Sequence, residues 1–263
     1  MRVLGELLMA RILPIGLVIL FLIIWQLVIH LADVPVYLMP SPERVFMTLV
    51  TDFSALMEDL GYTSIEAAGG LMFGVIVAII VGLFSARFSL VETTVMPLAV
   101  FVKVTPVLAI APLFAIWFGF GFFPRFLIVA VVTFFPILVN TIAGLKATSR
   151  PIMEYFESLG VSKWEILIKI RIPYSLPYVF AALKVAIPLS IIGAVIGEWF
   201  GSSKGLGNLI MVSHGNLDTE TLFASIFLLA MLGVIATSVV AVVERRFIFW
   251  HPSVGTLDRK SVV

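Results

Sequence analysis

Residues 64–85 read SIEAAGGLMFGVIVAIIVGLFS, and this stretch decides the fold. It carries a single charged residue, Glu66, near its beginning. A helix needs about 20 consecutive apolar residues to cross the hydrocarbon core of a bilayer. The stretch meets that length, so it predicts a membrane-spanning helix rather than a core helix of a soluble domain.

Five further stretches have the same character. The sequence therefore predicts six membrane-spanning helices, at about 12–32, 64–85, 95–119, 124–146, 176–199 and 221–244. The first is too long, and lacks the small-residue cleavage site, to be a removable signal peptide. Five prolines interrupt the third and fourth stretches, which are either kinked or, in one case, broken: Pro97, Pro106, Pro112, Pro124 and Pro136. We expect an all-α polytopic membrane protein in which residues 1–263 form one domain.

The composition excludes several classes of protein. Of 263 residues, 61% are hydrophobic and only 13% are charged, with a mean hydropathy of +1.15 and a net charge of +1. A soluble domain carries about 25% charged residues, so a soluble enzyme, a disordered protein and a nucleic-acid-binding module are excluded. Cysteine is absent and the three histidines lie far apart, so we expect no metal site.

The basic residues predict the orientation. If the chain crosses six times, twelve lysines and arginines lie on the side of both termini and of the 147–175 loop, against three on the opposite side. Because positive charge accumulates in cytoplasmic loops, both termini and this loop are predicted to be cytoplasmic. On the outer side, Ser41 followed by Pro42 and Glu43 predicts the start of a short surface helix.

The 147–175 loop reads ATSRPIMEYFESLGVSKWEILIKIRIPYS and is too polar to span the membrane. Its apolar residues, Trp164 among them, recur at helical spacing. Gly160 predicts the end of a first helix, and Ser162 with Glu165 predicts a capping box that opens a second. Pro173 is predicted to end the second helix. Such a paired helix suits a groove on a soluble partner.

The loop also resembles the EAA loop of ABC importer permeases. Glu154, Gly160, Ile170 and Pro173 fall in register with the Glu, Gly, Ile and Pro of that pattern. The departures are Tyr155 and Phe156 at the alanine positions and Ile172 for leucine, which affect the detailed packing against a partner.

The resemblance covers residues 13–252. Further matching pieces, in order, are LMPSP at 38–42, PL at 112–113, WFG at 117–119, FFPI at 134–137, NT at 140–141, GEW at 197–199, GLG at 205–207 and ERR at 244–246. Together they resemble the nitrate/sulfonate/taurine-type permeases, the binding-protein-dependent transport system inner membrane components.

This resemblance implies a type I ABC importer permease fold in a bacterial inner membrane. It implies a permease dimer, two cytoplasmic ATPase subunits and an external solute-binding protein. The sequence has no phosphate-binding loop, so ATP and magnesium would be bound by the ATPase, and this chain needs no cofactor and is not an enzyme. The resemblance gives the residues that couple to the ATPase as Glu154, Gly160, Trp164, Ile170 and Pro173.

Polar residues within the predicted spans are candidates for the translocation path, since such residues are costly in a bilayer. The candidates are Lys103, Asn140, Thr141, Glu198 and Trp199. Lys103 is expected to line the path or to pair with a carboxylate. Asn140 and Thr141 are expected to contact the substrate or to form hydrogen bonds between helices. Glu198 shapes a gate or receives the binding protein. Lys184 is expected to snorkel to an interface, and Glu66 to reach one.

Two other classes fit less well. A self-contained secondary transporter would need paired carboxylates within the spans, and an intramembrane enzyme would need a nucleophile or metal motif. Within the importer class, the GEW and GLG pieces most resemble permeases for vitamin-type heterocycles, namely a thiamine pyrimidine precursor or riboflavin. Sulfonates, taurine or nitrate are the alternative.

Overall fold

The computed structural model describes the backbone of residues 2–248, and the side chains of residues 13–248 except Ser89, Val102 and Lys103. Within residues 2–248 the chain forms helices and no strand. The helices are α1 (Arg2–Leu31), α2 (Pro42–Thr51), α3 (Phe53–Arg87), α4 (Ser89–Val104), α5 (Val107–Phe118), α6 (Phe122–Lys146), α7 (Arg150–Ser158), α8 (Lys163–Ile166), α9 (Ile172–Trp199), α10 (Leu206–Gly215) and α11 (Thr219–Phe247).

Five of the described helical stretches are long and apolar enough to cross a membrane: residues 13–31 of α1, then α3, α6, the stretch from α8 through α9, and α11. The predicted third span, 95–119, is instead two shorter helices, α4 and α5. Pro106 separates them in an extended conformation, and it has no N–H with which to continue the helix. The sequence analysis left open whether one of these two stretches is broken. The third stretch is broken, whereas α6, which corresponds to the fourth, continues through Pro136 without a break.

The core lies where α6 packs between α3 and α9. Small residues bring α3 and α6 into close contact. A Cβ atom at Gly70 would lie 2.5 Å from Val129 Cβ, and one at Gly74 would lie 2.5 Å from Thr133 Oγ1. Close approach of this kind is how membrane helices gain dispersion contacts without a hydrophobic driving force.

Helices α2 and α10 lie with the start of α11 at one end of the bundle, which we call the α10 end. The predicted surface helix is present as α2, and the Ser41 hydroxyl accepts a hydrogen bond from the Arg44 N–H at 3.4 Å. Helix α10 was not predicted from the sequence. Leu206 of α10 is fully buried against Val45 and Leu56, so α10 closes the core at this end.

Helix α1 stands beside the bundle, and its described apolar side chains are largely exposed. Its aromatic ring contact to the bundle joins Trp25 to Phe223 of α11, with centroids 5.7 Å apart. An exposed apolar surface of this length is suited to lipid or to another membrane helix.

At the opposite end, which we call the α7 end, α8 continues into α9 through a wider π-helical turn at Leu167–Arg171. The prediction that Pro173 ends the second loop helix is therefore wrong. Pro173 lies in the first turn of α9, where the Ile172 N–H donates to the Leu167 carbonyl five residues back. The wider turn accommodates a proline ring that would clash with a carbonyl in a regular α-helix.

Candidate functional site: a helical projection, a polar cluster and two cavities

The α7–α8 segment, residues 150–171, projects from the α7 end. Its first helix, α7, ends at Ser158, and Gly160 follows the C-cap residue Leu159 with φ +72°, a conformation that glycine reaches without strain. The Ser162 hydroxyl accepts from the Glu165 N–H at 3.3 Å, and the Ser162 N–H donates to the Glu165 carboxylate. The predicted glycine cap and capping box are both confirmed, so the turn between the two helices has a defined shape.

The surface of this segment is apolar in part and charged in part. No residue of α7 is buried, and Tyr155, Leu159 and Trp164 expose large apolar side chains. Glu154 pairs with Arg150 at 2.9 Å on the same helix, and Lys169 pairs with Glu165 at 3.1 Å. Exposed apolar groups on a rigid, capped helix pair form a surface suited to a protein partner.

The residues predicted to couple to an ATPase do not form a single patch. Glu154 and Gly160 lie on the exposed first helix and its turn, and Trp164 is exposed at the start of α8. Ile170 and Pro173 are half-buried in the π-helical turn and the start of α9, where they join the segment to the bundle.

A buried polar cluster occupies the α10 end. The Glu66 carboxylate lies 2.5 Å from the Arg125 guanidinium, and Glu66 is only 1% exposed. Arg125 also donates to the Gly121 carbonyl at 2.7 Å and to the Ser202 hydroxyl at 2.6 Å. The expectation that Glu66 reaches an interface is wrong, because Arg125 of α6 supplies it with an internal partner.

Glu198 belongs to the same cluster and is also 1% exposed. Its carboxylate accepts from the Thr63 hydroxyl at 2.7 Å, and from the backbone N–H groups of Gly207 and Asn208 at 2.5 and 3.3 Å. These N–H groups belong to the first turn of α10, where a helix attracts negative charge. Glu198 thus fastens α10 to α9 and α3 from inside the protein.

The loop before α10 is held by further side chains of α3. The Asp59 carboxylate accepts from the Gly205 N–H at 2.7 Å. Lys204 donates to Glu58 at 2.6 Å and to the Tyr62 hydroxyl at 3.1 Å, and these hydrogen bonds raise the pKa of Lys204 above its ordinary value. The loop is therefore anchored to α3 by these contacts and to α6 by the hydrogen bond from Arg125 to Ser202.

A cavity of about 590 Å³ lies where α4 and α5 separate, against α6 and α9. Its wall is mostly aliphatic, with polar side chains from Thr105 and Asn140. The Asn140 Nδ2 donates to the Pro136 carbonyl at 2.8 Å, which orients the amide. Thr141 is 2% exposed and packs against Gly82 of α3 instead. The side chain of Lys103 lies outside the described residues.

A larger cavity of about 880 Å³ lies between α9 and α11, and Trp199 contributes to its wall. Its other lining side chains are almost all aliphatic. Nearer the α7 end, the Lys184 ammonium pairs with the Glu244 carboxylate of α11. Lys184 therefore has a protein partner that the sequence did not reveal.

Comparison with protein families decides the class of the chain. Residues 70–249 match the family model described as the binding-protein-dependent transport system inner membrane component. The chain belongs to this family. The permease is thus the multi-pass inner-membrane component of an ABC importer. It is not itself an enzyme, because ATP hydrolysis belongs to a separate partner subunit, and a solute-binding protein is a further partner.

Several named relatives match most of the permease. It is 32% identical to the formylaminopyrimidine transport permease protein ThiX of Halalkalibacterium halodurans, over 88% of this chain and 93% of that protein. It is 31% identical to the riboflavin transport system permease protein RibX of Chloroflexus aurantiacus, over 92% and 90%. It is 28% identical to the putative aliphatic sulfonates transport permease protein SsuC of Bacillus subtilis, over 88% and 84%.

The fold of the permease has a solved counterpart. A chain of the inward-facing MetNI methionine ABC transporter superimposes with a TM-score of 0.64 at 16% identity, covering 75% of this chain and 98% of that chain. At this identity the likeness concerns the fold alone. It confirms the predicted type I ABC importer permease fold.

Sequence reasoning missed Arg125 and Thr63 as members of the polar cluster. A signal was available, because a carboxylate within a span, here Glu66, requires a partner. The sequence does not show which of the basic residues supplies it. Within the described residues, no group of histidine and acidic side chains could hold a metal ion.

Proposed function

We propose that the permease works as a homodimer whose α7–α8 segments dock on a pair of cytoplasmic ATPase subunits, and that it imports a small vitamin-type heterocycle. The observation that carries the proposal is the α7–α8 segment itself, a capped helix pair with exposed apolar side chains. ATP and magnesium belong to the ATPase in this proposal, and the permease needs no cofactor of its own.

The orientation follows from charge. Among the described side chains, lysine and arginine are more numerous at the α7 end than at the α10 end, which supports a cytoplasmic position for the α7 end and both termini. The α10 end, with its surface helix α2 and its anchored loop, then faces outward and meets the solute-binding protein.

A movement of the α7–α8 segment would reach the core of the bundle through α9. The second helix of the segment is continuous with α9 from Lys163 to Trp199. A movement of the segment on ATP binding would therefore be transmitted along α9, which packs on α6 and carries Glu198 at its far end. Glu154, Gly160 and Trp164 would shape the docking surface, while Ile170 and Pro173 would form the joint.

The substrate class rests on the relatives. ThiX and RibX are named for formylaminopyrimidine and riboflavin, two heterocycles. Thr105 and Asn140 in the cavity at the α4–α5 break would offer a hydroxyl and an amide to such a molecule. A sulfonate, taurine or nitrate importer is the second candidate, because SsuC is named for sulfonates and Lys103 would favour an anion.

Docking is tested by co-purification of the permease with its ATPase. The variant Leu159→Glu places a charge on the exposed apolar surface of the α7–α8 segment, and we expect it to lose the ATPase. Met211→Glu is a matched control at an exposed position of α10, at the other end of the bundle, and should retain it. If both variants retain the ATPase equally, the segment is not its docking site.

The substrate is tested by calorimetry on the partner solute-binding protein. Binding of a formylaminopyrimidine or riboflavin, without binding of taurine or alkanesulfonates, supports the vitamin assignment. The reverse pattern supports the anion assignment and leaves the importer class unchanged.

A further inference from the structure

We propose that the apolar pocket between the end of α3 and the α7–α8 segment holds one anionic phospholipid at the α7 end. The pocket has a volume of about 460 Å³. Ile80, Phe84 and Arg87 of α3 form one wall, and Trp164 and Ile168 belong to the other. Arg87 is the charged side chain in this wall.

The position of the pocket along α3 matches the two parts of a phospholipid. Residues 67–86 carry no charge, and this length of helix spans about 30 Å, the thickness of a hydrocarbon core. Arg87 therefore lies at the level where the headgroups begin. Ile80 lies about 10 Å deeper in the same helix, within the hydrocarbon region.

The lining of the pocket changes from apolar to charged along α3, from Ile80 to Arg87. Ile80 and Phe84 are about half exposed and present an apolar surface that an acyl chain can cover. Arg87 lies over the Phe88 ring at 5.2 Å and pairs with no carboxylate among the described residues. A guanidinium without a carboxylate partner at the headgroup level is suited to a phosphate oxygen.

Nearby residues strengthen the preference for negative charge. Lys163 and Arg171 flank the lining residues of the α7–α8 segment in the sequence. Trp164 also lines the pocket, and indoles are common at the membrane–water interface, so in this proposal Trp164 lies where the docking surface of the α7–α8 segment meets the lipid. A cytoplasmic protein cannot reach Ile80 within the hydrocarbon region, so a lipid is the occupant that fits both parts of the pocket.

The consequence concerns the α7–α8 segment. A lipid in this pocket contacts both α3 and the beginning of the helix that continues into α9. It would brace the segment against the bundle, so the lipid composition of the membrane would influence how firmly the segment is held.

The test uses the natural absence of cysteine. Ile80→Cys in the full chain is labelled with a fluorophore and placed in phosphatidylcholine vesicles, with a trace of acyl-nitroxide phosphatidylglycerol or of acyl-nitroxide phosphatidylethanolamine. We expect phosphatidylglycerol to quench more strongly than phosphatidylethanolamine, with an apparent affinity about fivefold higher, the effect of one basic contact. Ile235→Cys, on an exposed position of α11, should show no such preference.

Second variants keep the proposal falsifiable. Adding Arg87→Gln should abolish the preference at Ile80→Cys, whereas Arg245→Gln, an exposed basic residue at the end of α11, should preserve it. Equal quenching by both lipids in the parent protein overturns the proposal, because the pocket is then filled by bulk lipid. Absence of quenching by either lipid also overturns it, because a protein surface such as a second copy then covers the pocket.

Discussion

The Glu66 carboxylate and the Arg125 guanidinium form an ion pair at 2.5 Å, with side chains only 2% and 13% exposed. This pair joins α3 to α6 at the α10 end. Arg125 continues the connection to the loop that precedes α10 through Ser202. Two helices and the loop before α10 are thereby held through one guanidinium.

Removing one partner of this pair is predicted to destabilise the permease strongly. Arg125→Met leaves the Glu66 charge buried and unpaired, so we expect a loss of about 3–5 kcal/mol in the free energy of unfolding. The measurement is unfolding in mixed micelles. Arg44→Met is the control, since it breaks the exposed Arg44–Glu220 pair and should cost less than about 1 kcal/mol. Equal losses in the two variants would contradict the role of the buried pair.

Gly74 is predicted to be intolerant of even one added methyl group. A Cβ at this position would approach Thr133 Oγ1 at 2.5 Å and the Ala130 carbonyl oxygen at 2.9 Å. Gly74→Ala should therefore lower the free energy of unfolding by about 1–3 kcal/mol. Gly61→Ala in the same helix meets no atom within 4 Å and should leave stability unchanged or slightly raised. A stable Gly74→Ala variant would show that α3 and α6 are not in close contact there.

Much of this fold is predictable from the sequence, because its signals are local. Apolar length located the long helices, and Ser41, Gly160 and Ser162 marked helix ends through short-range hydrogen bonds that the structure contains. The prolines of the third and fourth stretches indicated kinks or a break, because a missing N–H acts on its own turn, but the sequence did not single out Pro106 as the place of the break.

The wrong predictions concern residues whose surroundings depend on a partner far away in the sequence or on an altered helix geometry. Pro173 continues a helix because a π-helical turn precedes it, and nothing in the residue itself indicates that turn. Three charged residues bind partners on other helices: Glu66, Glu198 and Lys184. A single sequence does not show which residues far apart in the chain form such pairs. The polar cluster therefore became visible only in three dimensions.

The turn at Gly160 is predicted to control coupling. Gly160→Val places a β-branched residue at φ +72°, which costs about 1–2 kcal/mol and distorts the turn between α7 and α8. We expect reduced ATP-dependent uptake in proteoliposomes of the assembled importer, with the amount of folded permease unchanged. Gly160→Asn tolerates the left-handed conformation better and should retain more uptake. Equal uptake by both variants would argue against a role for the shape of this turn.

Asn140 is predicted to affect substrate passage rather than stability. Asn140→Leu removes the amide from the wall of the cavity at the α4–α5 break, at similar side-chain volume. The expected result is a fall in uptake of about tenfold, the value of one or two hydrogen bonds, with ATPase binding unchanged. Val139→Ala is the control, at a neighbouring apolar position of the same wall. Normal uptake by Asn140→Leu would place the path elsewhere.

The most direct test of the proposed mechanism is uptake into proteoliposomes with defined components. The permease is reconstituted with or without its ATPase, the loaded solute-binding protein is supplied at the α10 end, and ATP at the α7 end. We predict accumulation of substrate only when permease, ATPase, binding protein and ATP are all present. Accumulation by the permease alone, without ATP, would contradict the claim that the α7–α8 segment receives its driving force from an ATPase.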